Sequence, residues 1–126
     1  MLDTDIVIYT MKRKPLKVKR RFNAHVGEMC ISSVTLGELY YGAENSSNSS
    51  RNLHVVEGFV ARIEVLDYDK SAARQFGQLS RELRNKPLGA YDLQIAAHSR
   101  SLGLILITNN VREFKRVPGL RVKNWT

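Results

Sequence analysis

The 126 residues are enough for one domain of ordinary size and too few for two. A composition of 43% hydrophobic and 25% charged residues is globular, which excludes disordered and fibrous classes. A net charge of +8 favours contact with a polyanion such as nucleic acid. The single cysteine, Cys30, excludes an internal disulfide, and no apolar stretch reaches the ~20 residues that cross a bilayer. With acids near the N-terminus where a signal peptide carries positive charge, we expect a cytoplasmic protein that does not insert into membranes.

Short apolar runs rich in β-branched residues alternate with helical patterns along the chain. The runs predict strands at residues 1–4, 29–31, 63–66, 104–108 and 120–122. Apolar residues at helical spacing predict helices at residues 6–11, 33–43, 53–60, 72–83 and 91–102, the last ending at Gly103 as its C-cap. This order predicts one α/β domain over residues 1–126, with a mostly parallel central sheet of four to five strands flanked by helices.

Acids and amides follow the predicted strands, at the sheet edge where open α/β sheets place their sites. Clustered carboxylates without basic partners repel one another, and a hard divalent cation relieves that repulsion. Oxygen ligands alone suit Mg²⁺ or Mn²⁺ better than Zn²⁺, and such an ion can assist the cleavage of a phosphodiester. The candidate residues are Asp3, Asp5, Glu38, Asp92, Thr108, Asn109, Asn110 and Glu113.

Each acid also has an ordinary structural interpretation, and the residues alone leave both open. Asp3 can cap a helix, and Glu38 stands three residues after Thr35, the spacing of a capping box. Asp92 in a first helical turn complements the helix dipole, and Glu113 can be a solvated surface charge.

The basic excess is concentrated in one segment. Residues 12–21 carry seven Lys or Arg and no acid. Such a run is often only a solvated face, but beside an acidic hollow it is the best candidate for contact with RNA phosphates. The RNA-binding candidates are Lys12, Arg13, Lys14, Lys17 and Arg20.

Four segments in order carry a family resemblance: MLDTDI at 1–6, ISSVTLGELYYG at 31–42, GAYDLQIAAH at 89–98 and ITNNVREF at 107–114. They resemble PIN-domain ribonucleases and, more narrowly, the VapC toxins of bacterial VapBC toxin–antitoxin pairs. The resemblance implies a PIN-like fold and an endoribonuclease that depends on Mg²⁺ or Mn²⁺. By position it makes Asp3, Glu38 and Asp92 the metal ligands and catalytic acids.

The fourth acidic position departs from the family pattern. Many members carry Asp where this chain has Asn110 and Glu113, so the resemblance leaves Glu113 as the fourth catalytic candidate and Asn110 as a helper. Asp5 replaces the usual Asn, and an added carboxylate there either tightens metal binding or adds repulsion. The hydroxyls of Thr4, Ser33 and Thr108 are further candidates for orienting an acid or water; the alternative for each is an ordinary helix cap.

The resemblance also implies partners. It predicts a VapB-type antitoxin whose C-terminal tail folds over the active-site groove, a homodimer, and a structured RNA substrate, with transfer RNA cleaved in the anticodon region. Residues 53–60 offer an apolar face for either protein contact.

Other functions remain open at this point. They are a PIN-type nuclease of RNA processing and a basic RNA-binding α/β domain whose acids only cap helices. A phosphatase or receiver-like domain lacks the expected lysine after a late strand.

The remaining distinctive residues have structural interpretations. His25, His54 and His98 share no metal-ligand spacing, and a lone histidine is seldom a ligand. Cys30 lies in an apolar run and is expected to be buried, and Trp125 is expected to seal the core or a subunit contact.

Overall fold

Short strands alternate with helices along the chain, as the sequence pattern predicts. The computed structural model describes residues 1–126 and contains seven helices and four strands. The helices are α1 (Thr4–Lys12), α2 (Leu16–Ala24), α3 (Ser33–Glu44), α4 (Ser49–Val60), α5 (Lys70–Glu82), α6 (Ala90–Ser101) and α7 (Val111–Phe114). The strands are β1 (Cys30–Ser32), β2 (Glu64–Leu66), β3 (Ile105–Ile107) and β4 (Arg121–Lys123). None of the helices combines the length and apolar character needed to span a membrane.

The strands form two parallel pairs and not the predicted sheet of four to five strands. β1 pairs with β2, and β3 pairs with β4. Between the pairs runs the N-terminal segment, where Leu2 forms a single parallel bridge to Ile107. The N–H of Leu2 donates to the carbonyl of Cys30 at 2.9 Å, so this segment is bonded to both pairs. The N-terminal residues pair too briefly to count as a strand.

The five predicted helices are present with shifted ends. The largest shift is in α4, which begins at Ser49 because Asn48 caps it through a bond to the Arg51 N–H. The C-cap of α6 is Leu102, one residue before the expected Gly103, which follows with a φ of +64°, a conformation that favours glycine.

Two helices were not predicted. α2 forms inside the basic segment because Val18 and Phe22, one turn apart, are both buried. Two apolar residues among so many cations are a weak periodic signal. α7 has only four residues, too few to show a period.

The core consists of two clusters of 12 buried residues each. One cluster packs α5 and α6 against β3 and includes Ile95, Leu106 and Cys30. The other joins α1 to α4 and includes Trp125, which confirms that Cys30 and Trp125 are buried. These clusters hold the helices that carry the acids against the ends of the strands.

The predicted apolar face of residues 53–60 is mostly used inside this core. Val56 and Phe59 are buried and Val55 is well exposed, so only part of this face remains available for contact with another protein.

Candidate active site

Asp3 stands at the carboxyl end of the bridged N-terminal segment and is held by two donors. Its Oδ1 accepts the N–H of Thr4 at 2.7 Å, and its Oδ2 accepts the hydroxyl of Thr108 at 2.7 Å. Thr108 directly follows β3, so two chain segments orient one carboxylate that is only 4% exposed. Asp3 therefore caps α1, as the structural interpretation predicted. It also lies at the predicted site, so capping does not exclude a functional role.

Glu38 faces Asp3 from α3. The hydroxyl of Thr4 donates to Glu38 Oε1 at 2.7 Å and lies 3.1 Å from Thr35 Oγ1. α3 is capped by Ser32, so Glu38 lies beyond its first turn and cannot complete a capping box. Burial raises the pKa of Glu38, with a smaller effect of Asp3 in the same direction. Thr4 thus connects two of the predicted acids.

Asp92 enters the same region from the first turn of α6. Burial, together with the charges of Asp3, Glu38 and Glu113, raises its pKa to about 6. These acids come from four distant parts of the chain. Their effect on the pKa of Asp92 indicates that the fold brings the carboxylates close together. The helix cap is Gly89, without any side-chain bond, so Asp92 is not the N-cap of its helix.

Asp5 adds a further carboxylate beside Asp3. Burial and, to a smaller extent, the neighbouring Asp3 charge raise the pKa of Asp5 to about 7. Its Oδ1 accepts the N–H of Ile6 at 2.7 Å, which offsets only part of that cost. In the metal-free protein the added acid therefore contributes repulsion.

Glu113 and Asn110, the two candidates for the fourth acidic position, make different contacts. Glu113 accepts from the Arg116 guanidinium at 2.7 Å in an ion pair, and its charge still raises the pKa of Asp92. Asn110 is exposed, and its backbone N–H donates to Thr108 Oγ1 at 2.9 Å. Its side chain does not cap α7. Glu113 is therefore the residue at this position that adds negative charge near Asp92.

The donors suit a hard cation, although they do not form a finished ligand set. No three His, Cys, Asp or Glu side chains are spaced to hold a metal ion as they stand, which departs from the expected three-acid group. Asp3, Asp5, Glu38 and Asp92 have no ion-pair partner, so the protein itself does not neutralise their charges. Oxygen-only donors with this excess of negative charge fit Mg²⁺ or Mn²⁺ in kind.

Of the three predicted hydroxyl helpers, two contact acids and one does not. Thr4 and Thr108 bind Glu38 and Asp3 as described above. Ser33 instead accepts the backbone N–H of Tyr68 at 3.0 Å, beyond the end of β2, so its role is to join α3 to that loop. Because Ser33 follows a predicted strand, its place in the sequence did not show whether its hydroxyl contacts an acid or joins two parts of the backbone.

Sequence analysis missed a buried pair behind the acids. Ser32 caps α3 and hydrogen-bonds with His98 Nδ1 at 2.8 Å, which ties the helix of Glu38 to the helix of Asp92. Burial lowers the pKa of His98, consistent with a structural histidine. Sixty-six residues separate the two partners, so no local pattern could reveal the pair.

The basic segment does not form one continuous arm beside the acids. Its RNA-binding candidates are exposed, but the chain turns sharply at Arg13, which has a φ of +59°. Lys12 lines a groove with Glu38, while Lys17 on α2 reaches the carbonyl of Thr126 at 3.5 Å. The segment thus offers its charges to two different surfaces.

The repulsion at Asp5 leads to a stability prediction for the metal-free protein. The folded state binds more protons than the unfolded chain between the ordinary acid range and pH 7, so stability falls as pH rises through that window. Asp5→Asn removes this loss, and we expect its melting temperature in EDTA to exceed wild type by a few degrees at pH 8 and by less at pH 5. Differential scanning fluorimetry measures both. The exposed Asp67→Asn variant is the control; an equal gain there would contradict the interpretation.

Comparison with known proteins agrees with this geometry. Residues 1–120 match the family model of the PIN domain, so the fold and its acidic cluster define a PIN-domain protein. The chain is 58% identical over 128 residues to the tRNA(fMet)-specific endonuclease VapC of Shigella flexneri, covering 100% of this chain and 97% of that protein. It is 54% identical over 127 residues to the protein of the same name from Salmonella typhimurium, covering 99% and 96%.

A solved structure gives the same result. The crystal structure of DNA-bound VapBC from Salmonella typhimurium contains a chain with a TM-score of 0.95 and 54% identity, covering 100% of this chain and 97% of that one. The chain belongs to the VapC endoribonucleases of the PIN-domain family. The predictions of a PIN fold and of a nuclease are confirmed, and PIN nucleases depend on metal.

Proposed function

We propose that this protein is a toxin that cleaves initiator transfer RNA in its anticodon region, using Mg²⁺ or Mn²⁺ in the cytoplasm. Two relatives more than half identical to it are named tRNA(fMet)-specific endonucleases, which supports the substrate. Such high identity over the whole chain favours the toxin over a nuclease of RNA processing.

The observation that carries the proposal is a cluster of carboxylates without cationic partners. Asp3, Glu38 and Asp92 come from three distant segments, and each of the first two lies close enough to raise the pKa of Asp92. A protein with a net charge of +8 has many cations available for pairing. Unneutralised acids within it are costly and favour a role in holding a cation.

The residues have separate tasks in this mechanism. A bound Mg²⁺ or Mn²⁺ would supply a Lewis acid that neutralises charge developing on the cleaved phosphodiester. Asp3 is the rigid donor, because the Thr4 N–H and the Thr108 hydroxyl set its orientation. Thr4 holds Glu38 through its hydroxyl. Asp92 completes the proposed ligand set, and Glu113 adds negative charge beside it.

We further propose where a VapB-type antitoxin binds. A groove of about 370 Å³ runs between α1, α3 and α4 and has Glu38 among its lining residues. Its walls include Ile8, Met11 and Val55, so an amphipathic segment can bury apolar side chains there. A basic side chain of that segment could then reach Glu38 and replace the charge of the cation. VapBC complexes among the structural relatives support this partner.

Three features of the assembly belong to the same proposal. We infer that residues 1–126 act as one domain and that the two strand pairs work with the N-terminal segment as one sheet, since Leu2 bonds to both. We also infer a homodimer, because exposed Tyr41 and Tyr91 leave large apolar surfaces without cover at 71% and 59% exposure.

Induced expression in a bacterial host tests the function. We expect growth arrest together with cleavage of initiator transfer RNA in the anticodon loop, because the substrate is needed for every round of translation initiation. Mapping of RNA 5′ ends measures the cleavage. Co-expression of the cognate antitoxin is the control and should remove both effects. Growth arrest with intact initiator transfer RNA would contradict the proposed substrate.

A further inference from the structure

A second large groove lies at the end of the molecule where the strands begin. Its volume is about 630 Å³, and it is bounded by α2, by β4 and by the loop that precedes β3. None of the proposed catalytic acids lines it. Ile105 lines the groove at the start of β3, whereas Thr108, just past the other end, contacts Asp3. Leu2 and Ile107 also line the groove, and they directly precede Asp3 and Thr108 of the acidic site.

The charged lining of this groove is mostly positive. The lining residues include three cations, Arg21, Arg121 and Lys123, and one acid, Glu28. Both ion pairs of the protein lie elsewhere, so no acid within 4.0 Å neutralises these three cations. The Arg121 guanidinium does donate to the carbonyl of Gly103, which positions the group without removing its charge. The groove therefore carries cations that the fold leaves unpaired.

The geometry of β4 directs two of these cations to the same side. Arg121 and Lys123 are exposed alternate residues of the strand, and Val122 between them is less exposed. Alternate residues of a strand point to one face. β4 pairs only with β3, so it is an edge strand. Its two basic residues are exposed beside that edge.

The opposite wall is basic and rigid. Arg21 projects from α2, the helix that also carries the exposed Lys17 and Arg20. His25 at the end of α2 stacks on Trp125, with ring centroids 5.1 Å apart. The positive surface of α2 is thus continuous with the groove, and stacking holds the two walls together.

We propose that this groove binds the phosphodiester backbone of the RNA substrate at a point away from the cleaved loop. The inference rests on the proposed function and adds a second contact surface to it. Three unpaired cations complement a polyanion, and a structured RNA is long enough to contact this groove and the acidic site at the same time. A substrate engaged at both places is held more tightly than a short loop that reaches only the acidic site.

A different explanation for the basic edge is protection against strand pairing between molecules, a common role of charged residues on edge strands. Charge reversal separates the two explanations. Glutamates at positions 121 and 123 still protect the edge, but they repel RNA.

The test compares the double variant R121E/K123E with the control R74E/R81E, which reverses two exposed charges on α5. We expect R121E/K123E to raise KM for full-length transfer RNA about tenfold at unchanged kcat, with cleavage of an isolated anticodon stem-loop unaffected. In EDTA, filter binding should show weaker affinity for the same transfer RNA and a salt slope reduced by about two. The control should behave as wild type.

Three results would overturn the inference. They are unchanged binding and KM in R121E/K123E, an equal loss on the stem-loop, or an equal loss in R74E/R81E. Binding in EDTA is measured without catalysis, so it tests the groove even if wild-type protein fails to cleave transfer RNA. That failure would refute the proposed function alone.

Discussion

Asp92→Asn is expected to lower kcat/KM for RNA cleavage about 1,000-fold while the protein stays folded. The asparagine keeps the shape of the side chain but loses the charge that the proposed cation requires. A loss of this size corresponds to about 4 kcal/mol of transition-state stabilisation. Cleavage of labelled transfer RNA under single-turnover conditions measures the rate, and circular dichroism measures the folded state.

The stability of this variant separates the catalytic from the structural interpretation of Asp92. Because burial and three neighbouring acids raise the pKa of Asp92 to about 6, removing its charge should leave the melting temperature in EDTA unchanged or higher at pH 8. Asp67→Asn, the same change at an exposed acid between β2 and α5, should leave cleavage intact. An unfolded Asp92→Asn protein would assign the residue to helix stability.

Removal of divalent metal with EDTA is expected to stop cleavage, with Mg²⁺ or Mn²⁺ restoring it. The acids have no ion-pair partners apart from Glu113, so a cation is needed to neutralise both them and the reacting phosphate. Metal should also stabilise the fold, by about 2.7 kcal/mol at a hundredfold excess over Kd. Titration of Mg²⁺ or Mn²⁺ into EDTA-treated protein, followed by cleavage and by thermal melting, measures both effects.

A matched variant makes the metal experiment specific. Asp92→Asn should show a smaller rise in melting temperature with metal than wild type, whereas Asp67→Asn should show the full rise. Cleavage at the wild-type rate in EDTA would contradict a metal-dependent acidic site. An equal thermal rise in all three proteins would show that the metal binds elsewhere.

Local sequence patterns were sufficient for most helices and for the class of fold. α5 and α6 were predictable because apolar residues recur at helical spacing on faces that the core then buries. α2 was missed because only Val18 and Phe22 mark its buried face. The extent of strand pairing was not predictable, because a short apolar run says that a strand forms but not how many of its residues pair.

The candidate site was partly predictable for a related reason. Residues that directly follow parallel strands share one edge, so the proximity of Asp3 and Thr108 followed from chain order, whereas Asp92 follows a helix and was placed by the family resemblance. The separate roles of Thr4 and Ser33 did not, since each hydroxyl opens a helix after a β segment. The same limit applied to Ser32 and His98, whose bond depends on the packing of two helices.

The sequence by itself determined the α/β class, through residue type and spacing along the chain, and its resemblance to PIN-domain ribonucleases supplied the family and the candidate acids. Tertiary structure alone decided which groups meet. It placed Thr4 on Glu38, brought Ser32 to His98 and divided the basic segment between two surfaces. Such contacts join residues far apart in sequence, and their geometry is set by how the helices pack on the strands.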